Sequence, residues 1–210
     1  MISALRSFLR QFREDVLLYR RMRARRGSSN GGSLIVTALR SRGLWVLATH
    51  RIIHSSTCER GKHAWWIDRI FRPIGMYLTA VFTKSEILAD CHIGRDVYLS
   101  NQGHIICGAQ DIGAGSVIHH HCTLGGVGAD GQTERPIIGR NVWIGPNCVI
   151  VGALTIGDGA TIRPGTFLTF SVRPSGVVEG NPAHVVAESF DNAPLRSSST
   201  VAAALSGPAG

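Results

Sequence analysis

From Ile87 onward an aliphatic residue returns every six positions. Ile87, Ile93, Leu99, Ile105, Ile112, Ile118, Leu124, Ile138, Ile144, Ile150, Ile156, Ile162 and Leu168 carry the beat, with one longer step at Asp111 and another between Leu124 and Ile138. Four residues after most of them stands a small side chain, such as Cys122, Cys148, Ala160 or Thr166, and glycine follows directly at Gly94, Gly113, Gly139 and Gly157. An α-helix repeats near every 3.6 residues and a strand every two, so neither accounts for this spacing. A period of six with two inward slots belongs to hexapeptide coils, three hexapeptides closing one triangular turn. The predicted fold is mainly β, a left-handed parallel β-helix of hexapeptide repeats preceded by a small α-helical N-terminal region. Stacking puts Ile93, Ile112, Ile138 and Ile156 on one face and Leu99, Ile118, Ile144 and Ile162 on the second. Ile105, Leu124, Ile150 and Leu168 are expected on the third. Each coil then buries its aliphatics only against its neighbours.

Charge divides the chain at the point where the repeat begins. Residues 1–83 hold 15 Lys/Arg against 4 Asp/Glu, and residues 84–210 hold 7 against 10, so the formal net charge of +8 resides in the N-terminal part. That part reads as helices over 1–26, 33–57 and 62–83, with Leu5, Phe8, Leu9, Phe12, Val16, Leu17 and Tyr19 at helical spacing and a breaker cluster at Gly27–Gly32. The expected organisation is a helical cap over 1–83, a β-helix over 84–188, and a flexible tail over 189–210 rich in Ser, Ala, Gly and Pro. A basic helical face is first of all a solvated or subunit-facing surface. Contact with an anionic membrane surface or a polyanionic substrate is its sharper alternative, and nothing interleaves the arginines with the aromatics of a nucleic-acid reader. No segment reaches the roughly 18 apolar residues of a membrane span, and no secretory leader is read at the start, so a cytoplasmic location is expected. Cys58, Cys91, Cys107, Cys122 and Cys148 are odd in number and follow no metal-ligand spacing, which disfavours a disulfide framework or a zinc site.

Four motifs then stand out: TLGG at 123–126, VWIGPNCVI at 142–150, TIGDGATIRPGT at 155–166 and EGNPA at 179–183. With FREDV at 12–16 and GLWVLATHRIIH at 43–54, they make the chain resemble the hexapeptide-repeat acyltransferases, in particular the serine acetyltransferase branch and its sugar O-acetylating relatives. The resemblance implies acetyl transfer from acetyl-CoA to a hydroxyl, in a homotrimer with active sites between neighbouring prisms. It also implies catalytic residues, and these do not all carry over. Glu86 matches the acidic position at the start of the first coil. Asn101 and Arg135 stand where the serine branch places histidines, and Asn cannot take a proton at neutral pH.

Histidines occur elsewhere. His119, His120 and His121 follow Ile118, which stacks on Leu99, so His120 is expected one coil along from Asn101 in the same place. Either His120 or His119 is the candidate base, with His104 as a second participant and Glu86 as an orienting carboxylate. Three adjacent histidines also fit a surface turn or a stacked ladder; a metal site is a weaker alternative. Cys122 and Cys148 fall at the small inward slot and read as packing, and Trp143 as a wall or subunit contact.

A hydroxyl acceptor has a pKa far above neutrality, so a neutral imidazole must take its proton as it attacks the thioester. The oxyanion needs donors, for which the backbone N–H groups at Gly125 and Gly126 are the candidates. The resemblance places coenzyme A against Pro146, Pro164, Thr169, Phe170 and His184. Phe170 and His184 replace cationic residues of the relatives, a loss that implies weaker phosphate contact or compensation by Arg163 or Arg173. The function expected first is O-acetylation of a sugar or polysaccharide precursor. Serine O-acetylation with a relocated base and a catalytically inactive assembly partner are the alternatives.

Overall fold

The structure, a computed structural model, describes residues 2–24, 34–58, 73, 77, 84–102, 104–126 and 135–197. Three helices precede the strands: α1 (Ile2–Ala24), α2 (Leu34–Arg40) and α3 (Arg42–Cys58). The helix expected over 62–83 lies outside the described residues except at 73 and 77, both helical.

The repeat folds into a three-faced parallel β-solenoid. The first face stacks β1 (Glu86–Ile87), β4 (Ile105–Cys107), β7 (Cys122–Gly125), β10 (Val149–Val151) and β13 (Phe167–Leu168). The second stacks β2 (His92–Ile93), β5 (Asp111–Ile112), β8 (Ile137–Ile138) and β11 (Thr155–Ile156). The third stacks β3 (Tyr98–Leu99), β6 (Val117–Ile118), β9 (Trp143–Ile144), β12 (Thr161–Ile162) and β14 (Val177–Glu179), closed by antiparallel β15 (His184–Ala187). Ile112, Ile118, Leu124, Ile138, Ile144, Ile150, Ile156, Ile162 and Leu168 are all fully buried inside the prism.

Two of the three expected rows hold; the third is displaced by two residues in one coil. Cys107, not Ile105, pairs with Leu124 and heads the row Leu124, Ile150, Leu168, while Ile105 pairs with Cys122. The corner over 100–104 is therefore two residues longer than its counterpart at His119–His121. The two inward slots exchange sizes: Ile105 fills the small slot and Cys107 the large one, so the volume within the coil is nearly conserved.

Corners turn on one left-handed residue three positions after the inward aliphatic. Between the second and third faces these are Asp96, Gly115, Asn141, Gly159 and Ser175, and between the third and first His121, Asn147 and Gly165. Asn, Asp and Gly tolerate this region best. Beside it, Gly113 leaves no room for a side chain: a Cβ there would meet the Gly139 carbonyl group on the next coil.

The helices cover the open end of the first coil, whose carbonyl groups have no preceding coil to accept from. Tyr19 donates its hydroxyl to the Leu99 carbonyl at 2.7 Å and accepts from the Leu99 N–H. Arg51 donates to the carbonyls of Ile93 and Gly94, His50 Nε2 to Leu88, and His54 Nδ1 to Ala89. Arg51 also holds Asp15 in a buried two-pronged pair, with Nε–Oδ2 at 2.9 Å and Nη2–Oδ1 at 3.2 Å. FREDV and the helix beginning GLWVL thus meet through their charged residues on the rim of the prism.

His50 makes this layer sensitive to acid. Burial, followed by the neighbouring His54, holds its ring down to about 4. The unfolded chain takes up this proton near pH 6.5 and the folded one only near 4, so stability present above 6.5 is lost as pH falls toward 4. Up to about 3 kcal/mol is at stake. Calorimetric melting is expected to show Tm falling over that interval, and His50→Gln, which keeps a donor for Leu88, is expected to flatten the slope.

The segment expected to be a flexible tail from 189 is in part built into the fold. Residues 189–197 pack on the corners of the prism: Leu195 in α4 (Ala193–Ser197) is buried. Asn192 Nδ2 donates to the carbonyls of Asn141, Gly159 and Ala160. The remaining tail, 198–210, lies outside the described residues.

Candidate active site

Leu99 pairs with Ile118, Ile118 with Ile144 and Ile144 with Ile162. On the edge between the third and first faces His120, Pro146 and Pro164 come into one line. Across the longer first corner the residue in line with them is His104, whose carbonyl accepts from the His121 N–H at 2.7 Å; Asn101 opens that corner on the same edge. The line is tied by the backbone, with Asn147 N–H donating to the His120 carbonyl at 3.1 Å and Gly165 N–H to Pro146 at 2.9 Å.

Asn101 is engaged by the helical layer. Its Oδ1 accepts from the Gly43 N–H at 3.0 Å, satisfying an otherwise unpaired donor in the first turn of α3. A position that carries a histidine in the serine branch here joins the cap to the prism.

The three adjacent histidines have three different environments. His119 is buried, its ring 5.1 Å from the Trp143 ring between centroids. His120 is half-buried on the edge itself. His121 is exposed, its backbone committed to the left-handed corner at φ 57°. Its ring meets His104 edge-on at 4.9 Å, so the longer first corner brings His104 into the same group. His120 alone of the run combines a half-buried ring with the line through His104 and Pro146. Among the described residues no group of three or more His, Cys, Asp or Glu is placed to hold a metal ion.

Glu86 lies exposed on β1, beside the buried Ser85 whose hydroxyl accepts from the Ile105 N–H. Cys122 and Cys148 are buried in the prism, and hydrogen bonding to Cys148 together with burial pushes the Cys122 thiol well up. A protonated, enclosed thiol is no nucleophile.

The residues expected to hold coenzyme A fall on three edges. Pro146, Arg163 and Pro164 share the edge with His120. Arg163 is bound to Glu179 at 2.6 Å, so Glu179 partly neutralises it, and His184 Nε2 stands 4.0 Å from the same carboxylate. Arg173 sits on the corner between the second and third faces. Gly125, Gly126, Thr169 and Phe170 lie on the edge between the first and second faces, about 13 Å from His121 along four extended residues. On that edge Arg135 is ion-paired with Asp90 at 2.8 Å, clamping the base of the loop, whose residues 127–134 lie outside the described part. One prism therefore carries its Gly125 and Gly126 on a different edge from its His120.

The sequence carried no sign of a pocket between the helices and the third face, where Arg23 and Arg40 flank Tyr98 and Asn101. Both arginines were visible only as members of a basic segment.

The family model described as bacterial transferase hexapeptide (six repeats) matches residues 135–169. A serine acetyltransferase of Helicobacter pylori is 26% identical over 154 residues, spanning 70% of this chain and 88% of that protein. One from Bacillus licheniformis is 27% identical over 157 residues, spanning 74% and 69%. The solved soybean serine acetyltransferase apoenzyme superposes with a TM-score of 0.68 at 25% identity, covering 84% of this chain and 69% of that one.

Proposed function

The chain is a member of the hexapeptide-repeat acyltransferases, on their serine acetyltransferase-like branch, transferring acetyl from acetyl-CoA, and we propose that it acetylates the hydroxyl of L-serine with His120 as the base. The single observation that supports this is the line His104–His120–Pro146 on one edge of the prism, with the His120 ring half-buried. Asn101, the place emptied of histidine, lies on the same edge, and the next rung supplies an imidazole there. The order of acceptors expected from the sequence is thereby reversed, because the relatives named for serine span most of their own length on this chain.

In the reaction the neutral ring of His120 removes the acceptor's hydroxyl proton as the oxygen attacks the acetyl carbonyl. The O–C bond forms and the negative charge moves to the carbonyl oxygen. Backbone N–H groups at Gly125 and Gly126 of a neighbouring prism receive it. The C–S bond then breaks, and the thiolate takes the proton back from the imidazolium, releasing the free thiol of coenzyme A. No covalent enzyme intermediate is needed. The arrangement requires a homotrimer or another ring in which the loop edge of one copy faces the histidine edge of the next.

A sugar hydroxyl is the second reading, favoured by Ile118–His119–His120, a segment resembling that of sugar-acetylating relatives. Release of coenzyme A is to be followed with L-serine and with a panel of sugars. Turnover with serine that exceeds thioester hydrolysis supports the first reading. Turnover with sugars alone replaces it, and no turnover above hydrolysis with any acceptor overturns both in favour of an inactive assembly partner.

A further inference from the structure

A pocket of about 340 Å³ opens where the end of α1, the turn between α2 and α3, and the first coil meet. Its floor is buried and largely aromatic, formed by Tyr19 and Tyr98, whose rings approach to 4.8 Å, with Ser41 beside them. Arg23 and Arg40 line it from two different helices, and Asn101 closes the side facing the prism. No acid stands among its described lining residues, and neither arginine has an ion-pair partner among the described residues. Two guanidinium groups without an ion-pair partner among the described residues, around one concavity, suit a carboxylate or a phosphate, each of which accepts paired N–H bonds from arginine. Asn101 belongs both to this pocket and to the longer first corner, on the edge that carries His120 one rung on, at a rise of about 4.8 Å.

We propose that the pocket binds the anionic end of the acetyl acceptor, its carboxylate or phosphate held between Arg23 and Arg40 and its hydroxyl directed past Asn101 to His120. The inference rests on His120 being the base. It makes the helical layer part of the acceptor site, and it restricts acceptors to hydroxyl compounds that carry a negative charge. Tyr98 supplies an apolar face for the carbon skeleton between the two ends.

The experiment compares charged acceptors with neutral counterparts: L-serine with L-serinamide for the carboxylate, and glucose 6-phosphate with glucose for the phosphate. It is run on the full chain, on Arg23→Gln, Arg40→Gln and the double variant, and on His120→Ala. Both arginines are at least partly exposed, and unaltered assembly size and Tm verify that the variants fold. One charged acceptor is expected to be preferred, with the ratio of kcat/KM over its counterpart falling about 10–100-fold in the double variant through KM. Calorimetric titration with L-serine and with inorganic phosphate, without acetyl-CoA, is expected to show binding that the double variant loses.

Turnover that needs His120 but keeps its charge preference in the double variant overturns the pocket and leaves the base standing. Binding lost in the double variant while turnover ignores His120 overturns the link between pocket and acceptor, together with the base. If neither probe binds the full chain and no charged acceptor is preferred, the inference is wrong.

Discussion

Replacing His120 with alanine is expected to lower kcat/KM for acetyl transfer by about 10²–10⁴-fold, the range a general base contributes. The loss should appear in kcat, because the ring acts on the proton as the bond forms and holds neither substrate in the ground state. Thiol release under saturating acetyl-CoA measures it. His120→Asn is the sharper form of the same experiment: it retains a polar side chain on the edge and removes only the capacity to accept a proton, as Asn101 already does one coil below. The neighbouring His119→Ala should behave differently. Its ring is enclosed against Trp143, so the alanine variant is expected to melt earlier while its folded fraction keeps far more activity than His120→Ala. If His120→Ala retains more than half of the wild-type rate, the base lies elsewhere in the group, with His104 and His121 the next rings to test.

Arg51→Met is expected to be the most destabilising single change at the junction of helices and prism, at about 3–5 kcal/mol near neutral pH. It removes the counter-charge of Asp15, which is buried beside it, and leaves the Ile93 and Gly94 carbonyls without their donor. Burial already holds the Asp15 carboxyl above its ordinary range although Arg51 stands against it. Without Arg51 the carboxyl must bind a proton still more readily in the folded state than in the unfolded one. A raised folded-state pKa means that stability is gained as pH falls through it, so the variant should recover part of its loss on mild acidification. The wild type moves the opposite way over the same interval, because His50 is held low. Melting curves of the two proteins taken between pH 7 and pH 5 should therefore converge. Parallel curves would show that the pair carries little of the junction.

The solenoid was legible because six-residue spacing survives any choice of surface residues: Ile93, Ile112, Ile138 and Ile156 must stack or be exposed. The same regularity concealed the longer corner after Ser100. Ile105 keeps the beat in the sequence, while the structure gives the beat to Cys107, and the two inward slots accept either order because their summed volume is similar. Spacing cannot reveal an exchange of that kind. In the site, counting placed His120 on the edge it shares with Asn101, but the longer corner puts His104 in line with it, and the burial of His119 depends on the Trp143 ring of the next coil. Arg23 and Arg40 illustrate the opposite limit. They are seventeen positions apart in a segment with many arginines, and only the folding of α1 against α2 and α3 singles them out. Asn192 escaped notice for a similar reason: one side chain in a stretch of small residues, it bridges three carbonyls that come together only across successive coils.

A parallel stack has no intrinsic length, since every coil offers the next the same unfilled edge. Here β15 runs back against β14, its His184 opposite Glu179 and its Val185 opposite Val178. A strand in reverse direction cannot be copied by another hexapeptide, so it works as a stop codon written in backbone geometry. With helices over the opposite end, the third face is terminated at both ends of the pile, and neighbouring molecules are denied the end-to-end growth that makes solenoids into fibres. The long edges, one of them carrying His120, are the surfaces left for the ring of copies proposed above.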